Sequence, residues 1–132
     1  MNAATCAEAS LGRSPVLEAV GLALLVAGLG VAVCARINLV RNWGTPMSEK
    51  VDTEFVTTGP YRLVRHPIYS GLIIAVIGTA LAVAPIMLVG VALLCGYFVW
   101  SATAEERTML RLFPDRYASY KQRTRMLVPF LF

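Results

Sequence analysis

Charged residues are scarce in this sequence. Asp, Glu, Lys and Arg together make up 15% of its 132 residues, whereas soluble globular domains carry about 25%. Hydrophobic residues make up 57% of the chain, so the composition argues against a soluble domain and predicts an integral membrane protein. The net charge of +4 is spread over several segments and forms no basic block. A nucleic-acid partner is therefore not expected, whereas contact with membrane lipids is.

Residues that bind metal ions are also scarce. The chain contains one histidine, His66, and three cysteines, Cys6, Cys34 and Cys95, with no Cys-x-x-Cys spacing. Because a structural zinc site uses four such ligands in characteristic spacings, no metal is expected. Two of the cysteines lie inside apolar runs, so packing is their expected role rather than disulfide formation.

The first long uncharged run predicts one crossing of the membrane. It covers residues 19–35 and is bounded by Glu18 and Arg36. As a helix, these 17 residues would measure about 25 Å. That length is near the lower limit for crossing a hydrocarbon core of about 30 Å.

The second uncharged run is too long for one crossing. Residues 69–104 would form a helix of about 54 Å, and Pro85 lies near the middle of the run. Since proline lacks an amide hydrogen and clashes with the preceding turn, the helix should break there. The sequence predicts two short spans, 67–84 and 85–104, joined by a tight hairpin. A single kinked and strongly tilted helix is the alternative.

Charge placement predicts the orientation of these spans. The basic residues after the first span fall in two segments, 36–66 and 105–132, and the hairpin contains none. The positive-inside rule places both segments in the cytosol. The predicted fold is an all-α integral membrane protein of one domain, 1–132, with about three transmembrane helices, a cytosolic loop and a cytosolic tail that includes an interfacial helix. The abundance of arginine and alanine is typical of high-GC bacterial genomes, so the plasma membrane of a bacterium is the expected location.

The only histidine lies in the stretch TTGPYRLVRHPIYSG, directly before the second predicted span. His66 is accompanied there by Arg65, Tyr61 and Tyr69, and Pro67 is well suited to the first turn of a helix. A helix N-terminus favours an anionic group, so a carboxylate ligand would fit this cluster. The alternative is a histidine that only caps or anchors the helix at the membrane interface.

Two adjacent glutamates, Glu105 and Glu106, end the third predicted span. Neighbouring residues of a helix point about 100° apart, so only one of the two can face a given pocket. One carboxylate is expected to meet a polar or cationic ligand. The alternative is an ordinary polar boundary in which Glu106 pairs with nearby arginines. Arg36 and Arg41 are interpreted as contacts to lipid headgroups.

The segments FVTTGPYRLVRHPIYSG and EERTMLRLFPDRYASYKQRTRMLVPF resemble the isoprenylcysteine carboxyl methyltransferase family and the related phospholipid methyltransferase-like membrane enzymes. The shared features are an RHPxYxG stretch, two short spans, a pair of glutamates and a tail with two tyrosines and a proline. They occur in the same order over residues 53–129, and three matches in register are more specific than any single motif.

The resemblance implies an enzyme that binds S-adenosyl-L-methionine on the cytosolic side and releases S-adenosyl-L-homocysteine. The methyl group would pass to the carboxylate of a lipophilic, prenyl or fatty-acid-like molecule that enters from the bilayer. The cofactor contacts that the resemblance implies are Thr53, Glu54, Phe55, Val56, Tyr61, His66, Pro67, Ile68, Tyr69 and Glu105.

The chain departs from the family's pattern at the substrate end. The family carries an arginine one helical turn before the first glutamate, facing the substrate carboxylate, and this sequence has Ser101 there. We therefore expect Ser101 and Arg107 to contact the substrate and Arg65 and Glu106 to be the catalytic residues. A carboxylate needs no general base at pH 7, whereas an amine would need one, and Glu106 or His66 would be the candidates.

Two other functions fit the sequence less closely. A phospholipid amine N-methyltransferase becomes more credible because the substrate arginine is missing. A small multispan protein of transport type would satisfy the three spans, but a transport pathway normally places a charged residue inside a span. The three predicted spans contain none.

Overall fold

Prolines stand at the start of three of the four α-helices in the described residues. The computed structural model describes residues 14–43 and 56–132, and Pro15, Pro67 and Pro114 each occupy the first position of a helix. Proline suits that position because its fixed φ is helical and its missing amide hydrogen would have had no partner. The helices are α1 (Pro15–Trp43), α2 (Pro67–Val83), α3 (Leu88–Leu112) and α4 (Pro114–Arg123).

The long uncharged run is interrupted at the position where the sequence predicts a break. Helix α2 ends at Val83, and Ala84 has extended backbone angles, with φ −157° and ψ 118°. A short 3-10 turn at Pro85–Met87 then leads into α3. Helices α2 and α3 thus form a hairpin.

Helix α1 is longer than the apolar run that predicts it. The predicted span covers residues 19–35, but the helix continues through Arg36 to Trp43. The expectation of a loop from residue 36 onward is therefore wrong for residues 36–43. The physical reason is that arginine ends an apolar run without ending a helix, because it is a good helix former. The next helix breaker along the sequence is Gly44.

Helices α1 and α2 pack in backbone contact through glycines. A Cβ added at Gly28 would lie 2.4 Å from the backbone nitrogen of Ala75, and one added at Gly78 would lie 2.4 Å from the carbonyl oxygen of Gly21. Gly28 faces Gly71 as Gly21 faces Gly78, so the two helices run antiparallel. Small residues of this kind allow helices to approach closely where lipid offers no hydrophobic driving force between them.

Two helices in the described residues are long and apolar enough to cross a membrane, over Pro15–Val40 and Pro85–Leu112. Helix α2, with 17 residues, is shorter, at about 25 Å. Three crossings therefore stay a prediction. Large apolar side chains are exposed on both long helices, such as Val26 at 70% and Leu93 at 74%. Exposure of this kind suits contact with lipid.

The segment after α4 returns to the start of α2. The backbone nitrogens of Arg65 and His66 donate to the carbonyl oxygens of Arg125 and Met126, at 2.8 and 3.1 Å. Val64 and Arg125 form an isolated parallel β-bridge. The tail is thereby held against the residues that precede α2, and both segments lie at the same end of the hairpin.

We predict that the Gly28→Ala variant is less stable than the wild type. Its methyl group would overlap the backbone of α2, and overpacking of this kind costs about 1–3 kcal/mol. Thermal denaturation in detergent should show a lower Tm. Gly30→Ala is the matched control on the same helix, because a Cβ there meets nothing within 4 Å. Equal Tm values for the two variants would contradict the proposed backbone contact.

Candidate functional site

A pocket of about 580 Å³ opens at the end of the α2–α3 hairpin where the tail is docked. Its walls come from the end of α1, the segment before α2, the first turn of α2, the last turns of α3, and α4. Its volume falls within the range of about 300–1,000 Å³ that is usual for small-molecule sites. The lining residues are Arg36, Leu39, Val56, Tyr61, Arg65, His66, Ile68, Tyr69, Glu105, Thr108, Met109, Leu112, Tyr117 and Tyr120.

Most of the cofactor residues that the sequence suggests line this one pocket. Pro67 is fully buried and lies between the lining residues His66 and Ile68. Thr53, Glu54 and Phe55 lie outside the described residues. The suggested residues that line the pocket are Val56, Tyr61, His66, Ile68, Tyr69 and Glu105.

Aromatic rings form a stack along one wall. His66 and Tyr69, one helical turn apart, stack with centroids 5.6 Å apart and planes within 9°. Tyr69 in turn stacks on Phe98 of α3, with centroids 4.8 Å apart. The stack fixes the orientation of the histidine ring and ties α2 to α3 beside the pocket.

Glu105 presents its carboxylate to the pocket. Its side chain is 53% exposed, and its Oε1 accepts a hydrogen bond from the Tyr69 hydroxyl. The same hydroxyl lies 3.2 Å from the Ser101 Oγ. His66 Nδ1 is 3.6 Å from the other carboxylate oxygen of Glu105. Tyr69 and His66 therefore hold Glu105 in place, while about half of its side chain remains exposed.

Glu106, in contrast to Glu105, is buried and paired with cationic side chains. It is only 2% exposed, and its carboxylate lies 2.6 Å from Arg65 Nε and 3.1 Å from Lys121 Nζ. Arg65 also donates through one terminal nitrogen to the carbonyl oxygens of Thr124 and Lys121, at 2.7 and 3.2 Å. The cluster formed by Arg65, Glu106 and Lys121 joins the segment before α2, helix α3 and helix α4.

These contacts argue against the catalytic roles that the sequence suggests for Arg65 and Glu106. Glu106 does not line the pocket, and both of its oxygens face cations. A carboxylate in this state is poorly placed to accept a substrate proton. Arg65 lines the pocket, but two of its nitrogens already donate to protein groups. Both residues fit a positioning role better.

The buried imidazole of His66 has an unsatisfied atom. His66 is 9% exposed, and its Nε2 lies 3.3 Å from Glu106 Oε1. Within the described part of the chain, however, that nitrogen has no hydrogen-bond partner of suitable geometry. A buried polar atom without a partner is costly, so it marks a position where a bound group would be favourable.

Neither of the two residues expected to bind substrate is among the residues that line the pocket. Ser101 does not line the pocket and reaches it only through its contact with the Tyr69 hydroxyl. Arg107 is exposed and is not among the lining residues. Arg36, which the sequence assigns to lipid headgroups, is among the residues that line the pocket, and its contact with headgroups stays a prediction. Arg36 reaches the pocket because α1 extends beyond residue 35.

Several lining residues were missed by the sequence interpretation. Thr108, Met109 and Leu112 follow Glu105 by three, four and seven positions, which places them on one face of α3. That spacing could have identified them once Glu105 was assigned. Tyr117 and Tyr120 are the two tyrosines of the tail pattern, and no role in the pocket was predicted for them, yet both line it. Burial raises the pKa of both tyrosines, so both hydroxyls stay protonated near neutral pH.

Comparison with known proteins adds independent information. A family model described as phospholipid methyltransferase matches residues 16–116. Methanethiol S-methyltransferase 1 of Bradyrhizobium diazoefficiens is 39% identical over 61% of this chain, and protein-S-isoprenylcysteine O-methyltransferase of Mus musculus is 34% identical over 87% of it.

A solved structure has a similar fold. The eukaryotic intramembrane Ras methyltransferase ICMT (isoprenylcysteine carboxyl methyltransferase) matches 87% of this chain with a TM-score of 0.73 and 26% sequence identity. The alignments span only 28% of the methanethiol enzyme, 42% of the mouse enzyme and 43% of the solved chain. This chain thus matches less than half the length of each of these three proteins.

We predict that Glu106→Gln destabilises the docked tail. The change leaves the buried Arg65 without its counter-ion, and breaking a buried pair costs about 3–5 kcal/mol. The Tm in detergent should fall, and trypsin should cleave faster after Arg123 and Arg125.

Glu105→Gln is the matched control for this prediction, because its side chain is half exposed. It should leave both the Tm and the cleavage rate close to those of the wild type. If Glu105→Gln were the destabilised variant and Glu106→Gln were not, the structural role assigned to Glu106 would be wrong.

Proposed function

Because this chain belongs to the phospholipid methyltransferase family, we propose that it is an integral membrane methyltransferase that uses S-adenosyl-L-methionine. The acceptor is the carboxylate of a lipophilic molecule of prenyl or fatty-acid type, and the second product is S-adenosyl-L-homocysteine. The observation that carries this proposal is the pocket, which gathers six of the ten residues that the family resemblance suggests for the cofactor.

The residues of the pocket fit the chemistry of this cofactor. The ring of His66 lines the pocket, and the free amides of the first turn of α2 offer donors for a carboxylate. The exposed carboxylate of Glu105 would accept from an amino group or from hydroxyls. The rings of Tyr61 and Tyr69 would pack against the adenosine. The pocket volume of about 580 Å³ is also adequate for such a ligand.

The protein's contribution to the reaction is mainly orientation. When bound, S-adenosyl-L-methionine supplies a methyl group made electrophilic by the adjacent sulfonium. A carboxylate acceptor is already ionised at pH 7, so no side chain has to remove a proton. Tyr69 holds Glu105 in place, and the aromatic stack holds His66. Correct alignment of two reactants lowers a barrier by about 7–11 kcal/mol at best.

The proposed membrane placement follows from the same elements. Helices α1, α2 and α3 cross the membrane of a bacterial cell, and the pocket faces the cytosol, where the basic segments lie. The acceptor reaches the pocket from the bilayer, between α2 and α3. A shallow apolar groove of about 220 Å³ between these helices is lined by Val76, Thr79, Met87, Gly90, Val91 and Leu94. It offers a surface for lipid tails.

A thiol is the second candidate acceptor. The methanethiol S-methyltransferase of Bradyrhizobium is 39% identical over 85 residues, and a thiolate is a good nucleophile toward a methyl group. Because a thiol is mostly protonated at pH 7, it must first release its proton to water, which a carboxylate need not do. An amine remains the third candidate. If the acceptor is an amine, His66 is better placed than Glu106 to accept the amine's proton, because His66 lines the pocket and Glu106 does not.

We predict that the purified protein binds S-adenosyl-L-homocysteine, and that His66→Ala and Glu105→Gln each weaken binding about tenfold or more. Loss of a hydrogen bond to a charged group costs about 1.5–3 kcal/mol, which corresponds to this factor. Isothermal titration calorimetry in detergent measures the affinity. Asp115→Asn removes an exposed carboxylate that does not line the pocket and should bind like the wild type. Absence of binding to the wild type would refute the proposed function.

We predict that methyl label from the cofactor enters the lipid fraction as an ester. Membranes containing the protein would be incubated with methyl-labelled cofactor, and the lipids would then be treated with mild base. An ester releases labelled methanol, whereas an N-methyl group stays with the lipid and a methylated small thiol is volatile before base is added. Label that resists base would favour the amine, and label lost without base would favour the thiol.

A further inference from the structure

Large apolar side chains are exposed in the tail after α4, outside the three long helices. Phe130 and Leu131 are 85% and 81% exposed, and Phe132 is 55% exposed. Single exposed apolar residues are ordinary on a protein surface, but three adjacent ones form a continuous patch. A patch of this kind marks a contact with a membrane or with another protein. Residues 128–132 are called the apolar turn below.

Backbone hydrogen bonds close the apolar turn with Phe130 at its tip. The amide of Leu131 donates to the carbonyl oxygen of Val128 at 3.2 Å. The amides of Leu127 and Val128 donate to the carbonyl oxygen of Phe132 at 2.7 and 2.6 Å. Phe130 has a φ of +66°, a left-handed conformation that bulky side chains rarely adopt. Strain of this kind persists only where other interactions offset it, and contact of the exposed ring with apolar surroundings would do so.

The tail runs toward the membrane as it approaches the apolar turn. The amide of His66 donates to the carbonyl oxygen of Met126 at 3.1 Å. One turn into α2, Ser70 Oγ donates to the carbonyl oxygen of Leu127 at 2.6 Å. The tail therefore advances in the same direction as the chain that enters α2, in agreement with the parallel β-bridge between the two segments. Leu127 lies level with a residue inside the predicted span 67–84, and the apolar turn follows it directly.

The tyrosines of α4 face the protein. Tyr117 and Tyr120 are each 4% exposed and line the pocket. The opposite face of this helix carries the polar residues Asp115, Ser119 and Gln122, which are exposed. The aromatic side chains that α4 could offer to lipid are thus used inside the protein. The apolar turn is the part of the tail that suits an apolar environment.

We propose that the apolar turn inserts its side chains into the cytosolic leaflet of the bilayer and thereby holds the tail, including the pocket wall formed by α4, against α2. This inference rests on the membrane placement in the proposed function and not on the identity of the cofactor. Phenylalanine and leucine suit the boundary between lipid headgroups and acyl chains. Exposed Arg123 and Arg125 precede the turn, and basic residues at this depth suit anionic headgroups.

Fluorescence quenching by lipid tests the insertion. In the full chain with Trp43→Phe and Trp100→Phe, one tryptophan is introduced by Phe130→Trp or by Gln122→Trp. Gln122 is the control, because it is exposed on the face of α4 opposite the buried tyrosines. Each protein is placed in nanodiscs of phosphatidylcholine and phosphatidylglycerol, with or without bromine on the acyl chains. Phe130→Trp should emit at shorter wavelength than Gln122→Trp, and bromine should quench its emission several-fold more strongly.

Phe130→Asn separates membrane contact from backbone strain. Asparagine adopts a positive φ more readily than phenylalanine, so a turn that mattered only for its backbone would hold equally well or better. We instead expect trypsin to cleave after Arg125 about tenfold faster or more in nanodiscs, because the apolar burial that favours the docked tail is lost. Phe130→Leu keeps both an apolar side chain and the strain, and it should cleave nearly as slowly as the wild type.

Four results would overturn the inference. Equal quenching of the two tryptophans would place α4 itself in the lipid. Short-wavelength emission from Phe130→Trp without quenching would mean that the turn packs against protein, in this chain or in a second copy. Long-wavelength emission without quenching would place the turn in water. Cleavage of Phe130→Asn at the rate of the wild type would show that the ring anchors nothing. Failure of the wild type to bind S-adenosyl-L-homocysteine would refute the proposed cofactor while leaving these measurements valid.

Discussion

The buried carboxylate of Glu106 is the contact on which the arrangement of the site depends. Arg65 Nε and Lys121 Nζ approach its two oxygens at 2.6 and 3.1 Å. Arg65 and Lys121 belong to segments that are 56 positions apart in the chain, and Glu106 lies on a third element. Buried charges of this kind are stable only when paired, so the three segments are constrained to meet. Glu105, the preceding residue, points about 100° away from Glu106 on α3 and faces the pocket.

The close contact of α1 and α2 supplies the second constraint. Gly28 and Gly78 allow the two backbones to touch, and any larger residue would separate the helices. Because α1 continues as one helix to Trp43, its position against α2 also decides where Arg36 lies. The packing of α1 against α2 therefore helps to determine where the charge of Arg36 lies in the pocket.

Much of the site could be predicted from the sequence, but the sequence left open whether Glu106 is catalytic or is paired with arginines. The RHPxYxG stretch and Glu105 follow a recognisable pattern, and Pro85 indicated the break between α2 and α3. The pattern did not show that Glu106 would be enclosed by Arg65 and Lys121, because those contacts join residues far apart in the chain. The place of Arg36 in the pocket was not predicted, because charge marks the end of an apolar run but not the end of a helix.

Photochemical labelling tests the central claim most directly, namely that the pocket binds the cofactor. Ultraviolet irradiation of the purified protein with radiolabelled S-adenosyl-L-methionine, followed by digestion and mass spectrometry, would locate the bound ligand. We expect label in the tryptic fragment of residues 66–107, which contains Tyr69 and Glu105, and we expect excess S-adenosyl-L-homocysteine to abolish it. Label that persists under competition, or that lies only in fragments remote from the pocket, would contradict the proposed site.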